Sequence, residues 1–202
     1  MRVSTRIANA ARMPAERRRQ QLLDATKAIV DRDGFHAVSI EAVAREAGIS
    51  RPIVYGHFRV LPGLLEALVE REGARALAQL ELVLPDVAAK GDPLETLLGG
   101  LRAYLQAARA DPATWRLVLM PPEGAPAILR VHIAAGRAAI IAQLAEAVPP
   151  LLGARSDPEL TAHMLSTISD ETVRLHLSDP DRYPVERLLD MARWFLGRVL
   201  AD

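Results

Sequence analysis

The sequence predicts an all-α protein with a three-helix helix-turn-helix unit at its N-terminus and a larger helical domain behind it. Three observations carry this reading. Apolar residues recur at helical spacing along most of the chain. Ala and Leu, both strong helix formers, abound while aromatic residues make up only 4%. Gly, Pro and Asp fall at intervals that suit the ends of helices.

The first helix begins near Glu16, where Leu22, Leu23, Thr26, Ile29 and Val30 place one apolar stripe on its surface. Gly34 stops it, and Phe35 and Val38 plug the small core beneath the following loop. Ser39 is placed to cap a short second helix, with Glu41 favourable in its first turn. Ile40, Val43, Ala44 and Ala47 form the inner stripe of that helix, which ends at Gly48. Gly48-Ile49-Ser50 has the length of a helix-turn-helix turn: the glycine tolerates a left-handed conformation, Ile49 points inward and Ser50 caps the next helix. The third helix, Arg51 to about Phe58, turns Val54 and Phe58 inward, which leaves Arg51, Pro52, Tyr55, Gly56 and His57 on its outer side.

Further helices are expected at about 62–84, 93–109, 112–119, 126–147, 158–177 and 184–200, with Pro85, Pro93, Pro112, Pro126, Pro158 and Pro184 at their edges. Asp92-Pro93, Asp111-Pro112, Asp157-Pro158 and Asp179-Pro180 repeat one device, a turn carboxylate before a proline. Their unequal spacing argues against internal repeats.

A formal net charge of zero conceals an asymmetry. Residues 1–60 hold eleven Lys and Arg against six Asp and Glu, net +5, while residues 61–202 are net −5. Six of those cations are Arg2, Arg6, Arg12, Arg17, Arg18 and Arg19, so the front of the chain alone suits a polyanion. The absence of cysteine excludes disulfides, thiol nucleophiles and Cys-based metal sites, and fits a reducing, cytoplasmic setting. No signal-peptide run follows Arg2 and Arg6, and no span reaches about 18 uninterrupted apolar residues, so no membrane association is expected.

Residues 39–50, Ser-Ile-Glu-Ala-Val-Ala-Arg-Glu-Ala-Gly-Ile-Ser, followed by Arg-Pro-Ile-Val-Tyr-Gly-His-Phe over 51–58, resemble the TetR family of transcriptional regulators. The resemblance covers residues 16–65. It implies an N-terminal arm and helix-turn-helix DNA-binding domain over 1–60 and a helical effector-binding and dimerisation domain over 61–202. It further implies that Tyr55 and His57 contact phosphates, that Ser39 and Ser50 combine capping with backbone contacts, and that Arg51, Pro52 and Gly56 face base edges. The chemistry agrees: a tyrosine hydroxyl or imidazole can donate to phosphate oxygens, and a bidentate arginine reads guanine. The alternatives are that Tyr55 and His57 pack the seam between the third and fourth helices, and that Arg51 is simply solvated. Two departures from the family pattern, Ile53 in place of Thr and Leu61 in place of Lys, remove phosphate contacts that the Arg-rich arm offsets if Arg12 or a neighbour lies along the backbone.

In the second domain, Leu160, Met164, Ile168 and Leu175 form a stripe on the penultimate helix, and Val185, Leu188, Leu189, Ala192, Phe195, Leu196 and Val199 form one on the last. Internal core is one reading. The family resemblance implies the other, a four-helix interface across a two-fold axis, with Leu175, Leu188, Leu189 and Phe195 at a homodimer contact. Between this pair and the N-terminal unit, Tyr104, Trp115, Met120 and Arg137 are candidates to line an effector pocket, with ordinary core as the alternative. Arg137, a cation among apolar neighbours, either meets an acidic ligand, pairs with a carboxylate or reaches solvent.

No phosphate-cradling Gly loop, Gly-x-Ser-x-Gly or His-Glu-x-x-His is present, so no enzymatic activity and no cofactor are expected. His163, Asp170, Glu171 and His176 share one predicted helix at separations that do not bring all four to one metal. The resulting expectation is a repressor of double-stranded operator DNA, released by a small-molecule effector. The competing class is a TetR-like interaction or ligand-sensing protein whose DNA binding has decayed.

Overall fold

The computed structural model describes residues 13–81, 92–122, 124–152 and 157–199, and every regular element among them is helical. In chain order these are α1 (Ala15–Asp33), α2 (Ile40–Glu46), α3 (Arg51–His57), α4 (Leu61–Glu81), α5 (Pro93–Ala110), α6 (Pro112–Leu119), α7 (Ala127–Leu152), α8 (Pro158–Ser178) and α9 (Val185–Val199). A single 3-10 turn, Phe35–Ala37, joins α1 to α2. Arg2, Arg6, Arg12 and Pro85, and the expected helix ends at 84 and 200, lie outside the described residues.

Two apolar cores organise these helices. The first gathers Leu22 and Ile29 of α1, Val43 of α2, Val54 of α3 with Phe58 just after it, and Leu64 and Leu68 of α4, and it also takes in Leu117 of α6 and Leu129 of α7. Each fully buried Val, Leu or Phe side chain contributes roughly 1.5–3 kcal/mol, so the short α2 and α3 are held by packing and not by their own helix propensity. The second core is built by Leu101, Tyr104 and Leu105 of α5, Trp115 of α6, Val173 of α8 and Leu189 of α9. α4 runs through both, and α9 packs chiefly on α5 while α8 packs on α7, α5 and α6.

The glycine stops work as the sequence requires. Gly34 adopts φ 82° and ψ 172°, a region open in practice to glycine alone, and Gly48 has φ 66° in the turn between α2 and α3. Asp92, Asp111 and Asp157 each accept a backbone N–H at the start of α5, α6 and α8. α7 is longer than expected, because it passes Pro149 and Pro150 and ends at Leu152, so the prolines form its last turn. Among the described residues α7 alone is long and apolar enough by composition to cross a bilayer, with a mean hydropathy of 1.4, although Arg130 and Arg137 interrupt it; most of that stretch is uncovered in the single chain.

Candidate nucleic-acid interface and ligand cavity

α3 is seated by Val54 and Phe58, which are buried, and this fixes which side of so short a helix is free. Arg51, Pro52, Ile53, Tyr55 and Gly56 are exposed, Tyr55 to 50%, and His57 is half-buried. Tyr55 therefore does not fill the seam with α4. Arg51 forms an exposed ion pair with Glu41 of α2 at 3.1 Å. Such a pair contributes little free energy and yields readily to a phosphate or base.

Ser39 accepts the Ala42 amide at 3.1 Å and so caps α2 as expected. Ser50 corrects its expectation: it occupies the N-cap position of α3, but among the described residues its side chain makes no capping bond, because Pro52 replaces one of the amides it would serve. Its hydroxyl is left for other partners. α1 braces the unit: Gln21 donates to the Ala47 carbonyl at 2.9 Å, and the Arg19 guanidinium lies over the Phe58 ring, 4.5 Å from its centre. Arg45 and Arg59 are two further exposed cations on this unit that motif reasoning passed over, although their charge alone marked them.

A cavity of about 380 Å³ lies in the C-terminal domain, walled by residues of α4 to α9. Tyr104, Trp115 and Arg137 line it, and Met120, which follows the end of α6 with its side chain partly in solvent, does not. Tyr104 and Trp115 meet edge to face with ring centres 4.9 Å apart, and the Trp115 indole N–H donates to Gln79 at 2.8 Å. The polar group in this wall is a chain of three residues from three helices. The Tyr104 hydroxyl donates to Asp170 Oδ1 at 3.0 Å, and Arg137 Nη2 donates to Asp170 Oδ2 at 2.6 Å. Arg137 is thus the carboxylate-paired cation of the three alternatives. Burial pushes the Asp170 carboxyl above its usual range, against the opposing pull of Arg137 and Tyr104. Burial and then the charge of Asp170 raise the Tyr104 phenol far beyond neutral pH.

A second polar cluster joins the two domains where α1, α4 and α6 meet. Glu72 is fully buried, with Lys27 Nζ at 3.0 Å and Arg71 Nη2 at 2.7 Å, and it accepts a short hydrogen bond from the Thr114 hydroxyl. Lys27 also reaches Asp111 at 2.7 Å and Thr114 at 2.6 Å. Burial alone raises the Glu72 carboxyl, but the bonds from Thr114 and Lys27 and the charges of Lys27 and Arg71 outweigh it and hold it below the usual carboxylate range. Asp111 is lowered likewise, burial being opposed by Lys27 and Thr114. Sequence reasoning missed this cluster, yet a signal exists: Glu72 continues the apolar series Leu64, Leu68 and Ala76 on α4 at four-residue steps.

The last two helices divide their apolar residues differently from expectation. Leu189 is only 3% exposed and belongs to the internal core, and Leu188 packs against it. Leu175 is half-buried, so these three are not on an open face. The open face carries Leu160, Met164 and Ile168 of α8 and Met191, Trp194 and Phe195 of α9. Of the four expected contact residues only Phe195 is on it. α9 packs on α5 with its Leu189 side, and this leaves Met191, Trp194 and Phe195 on the other.

The fold of residues 13–70 is that of a helix-turn-helix unit, followed by further helices. Residues 22–68 match the family described as bacterial regulatory proteins, tetR family, and over that segment the chain is similar to it. The regulator BetI of Yersinia pestis (strain Pestoides F) is 50% identical over 50 residues, 25% of each chain, and BetI of Serratia proteamaculans (strain 568) matches to the same extent. The chain thus matches about a quarter of the length of these curated relatives, 25%. Beyond that segment the likeness is one of fold: a TetR-like regulator from Rhodococcus sp. RHA1 has a TM-score of 0.74 at 24% identity, covering 94% of this chain and 99% of its own. FadR from Bacillus subtilis, solved in complex with stearoyl-CoA, has a TM-score of 0.66 at 18% identity over 88% of this chain and 96% of its own.

Proposed function

We propose that this protein is a homodimeric, sequence-specific regulator of transcription that occupies a palindromic operator and is released from it by a small apolar effector. One observation carries the reading: an outward-facing α3 and an apolar cavity are both joined to one helix, α4, which contributes to both cores. A ligand that displaces α4 or α6 therefore moves the DNA-binding unit, and by linkage DNA weakens the ligand by the same factor. That a fold neighbour was solved with stearoyl-CoA supports a ligand-holding role for this kind of domain.

Arg51, Pro52 and Gly56 face the bases, and Tyr55, His57, Ser39 and Ser50 meet the backbone, with Arg45 and Arg59 adding phosphate neutralisation. Arg51 exchanges Glu41 for guanine on binding. One short recognition helix reads only a few base pairs, so two copies about 34–36 Å apart are needed for a palindrome. The open apolar face of α8 and α9 supplies the contact between them. With DNA as its target, the proposed regulator acts in the cytoplasm.

The test is selection of double-stranded sequences on the purified protein, followed by affinity measurement for wild type and Arg51→Ala across a salt series. A palindrome whose recognition relaxes at one position per half-site in Arg51→Ala supports the reading. No enriched sequence at any salt overturns it in favour of an interaction-only protein.

A further inference from the structure

The cavity's polar chain says what kind of ligand the site takes. Its walls are overwhelmingly apolar, contributed by residues such as Leu77, Leu101, Leu119 and Ile140, and Glu70 and His132 sit where their side chains are exposed. The charged pair in the wall is Asp170, nearly buried, and Arg137, whose side chain is partly exposed, and they neutralise each other at 2.6 Å. A carboxylate entering this space accepts only, so it can address Arg137 but lies against the Asp170 oxygens. An ammonium donates only, so it can address Asp170 but lies against Arg137. Either ion must break a partly buried pair or sit against a like charge, and both are costly.

A hydroxyl has neither problem. It donates and accepts at once, so it can donate to a free lone pair of Asp170 while accepting from one of the Arg137 N–H groups that the ion pair leaves unused. The Tyr104 hydroxyl, whose proton is already committed to Asp170, fixes the carboxylate's orientation for this. We infer that the ligand is an uncharged, mainly hydrocarbon molecule carrying a hydroxyl head that seats across the Arg137–Asp170 pair. This rests on the reading of the cavity as the effector site and adds the chemical class of the effector.

The experiment uses the full chain and a neutral fluorophore, N-phenylnaphthylamine, whose emission rises in apolar surroundings. It is displaced in turn by decanol, decanoate and decylammonium, each below its micelle threshold, so that tail length is constant and only the head changes. The expected order places decanol ahead of both ions by on the order of tenfold in affinity. Asp170→Asn leaves Arg137 without its counter-charge and is expected to raise decanoate by about tenfold relative to decanol. Arg137→Gln, at a position whose side chain is partly exposed and so tolerant of change, is expected to raise decylammonium instead. Circular dichroism melts of both variants establish that they are folded.

Decanoate or decylammonium equal to decanol in wild type overturns the inference, as does an order that neither substitution changes. If the fluorophore enters and is displaced but the order is wrong, the inference alone fails. If wild type takes up no fluorophore at all, the effector-site reading fails with it.

Discussion

Lys27 of α1 and Glu72 of α4 meet at 3.0 Å, with the Glu72 side chain wholly removed from solvent and Lys27 nearly so. The pair lies between the helix that braces α3 and the helix that walls the cavity. Thr114 and Asp111, which complete it, open α6, and Trp115 of the cavity wall is the next residue. A shift of α6 therefore moves Asp111 and Thr114 against Lys27 of α1 and the buried Glu72.

Removing one partner of this pair is costly because it strands the other. Glu72→Ala is expected to destabilise the protein by about 3–5 kcal/mol, measured by urea denaturation, whereas replacing both Lys27 and Glu72 with apolar residues of similar volume recovers most of the loss. The double variant is also expected to hold ligand and DNA with their coupling weakened.

Acid should dissolve the same cluster. Glu72 and Asp111 both have folded values below their unfolded ones, so the unfolded chain binds more protons and stability rises with pH through that range. The contribution is fully present above the unfolded carboxyl values of about 4 and is lost as pH falls through the lower folded ones. Melting temperature followed across this range in wild type and Glu72→Gln is the check: the variant is expected to start lower and to lose less on acidification.

Gly34 has a more local role. An alanine there must hold φ 82° while its Cβ comes within 3.2 Å of the His36 ring, so Gly34→Ala is expected to cost about 1–3 kcal/mol in thermal or chemical melts. Gly56, with open space around its Cβ position and an ordinary helical backbone, is expected to accept alanine without loss of stability. Any loss of operator affinity in Gly56→Ala then reports a contact with DNA.

On α2, Glu41 holds the Arg51 guanidinium in the free protein. Arg51→Ala is expected to cost about 1–3 kcal/mol of operator binding and to relax one position per half-site. Glu41→Ala, which frees Arg51 and removes a negative charge near the phosphates, is expected to tighten binding slightly, by under about 1 kcal/mol. Fluorescence anisotropy at fixed salt measures both.

Trp194 is 57% exposed in the single chain, among Met191, Phe195 and the α8 residues Met164 and Ile168. Trp194→Glu is expected to shift the protein towards monomer at micromolar concentration, seen by sedimentation, because a central aromatic at such a face carries about 2 kcal/mol or more. Leu189→Ala is expected to lower stability instead, with little direct effect on association.

What the sequence by itself determined is everything whose cause is local. Helix periodicity, the Gly34 and Gly48 stops, the Ser39 cap and the Asp-Pro starts of α5, α6 and α8 depend on residues within a few positions of one another, and the helix-turn-helix unit is assembled from such pieces. The direction of Val54 and Phe58, and hence the free side of α3, followed from the same spacing.

Tertiary structure decided which apolar stripe meets which neighbour and which charges meet at all. Leu189 and Trp194 are both apolar and five residues apart on α9, and only the position of α5 sends one inward and leaves the other open. Lys27 and Glu72 are 45 positions apart, and Arg137 and Asp170 are 33 apart. Helical spacing says nothing about such pairs, because burial of a charge is decided by whether another helix delivers its partner.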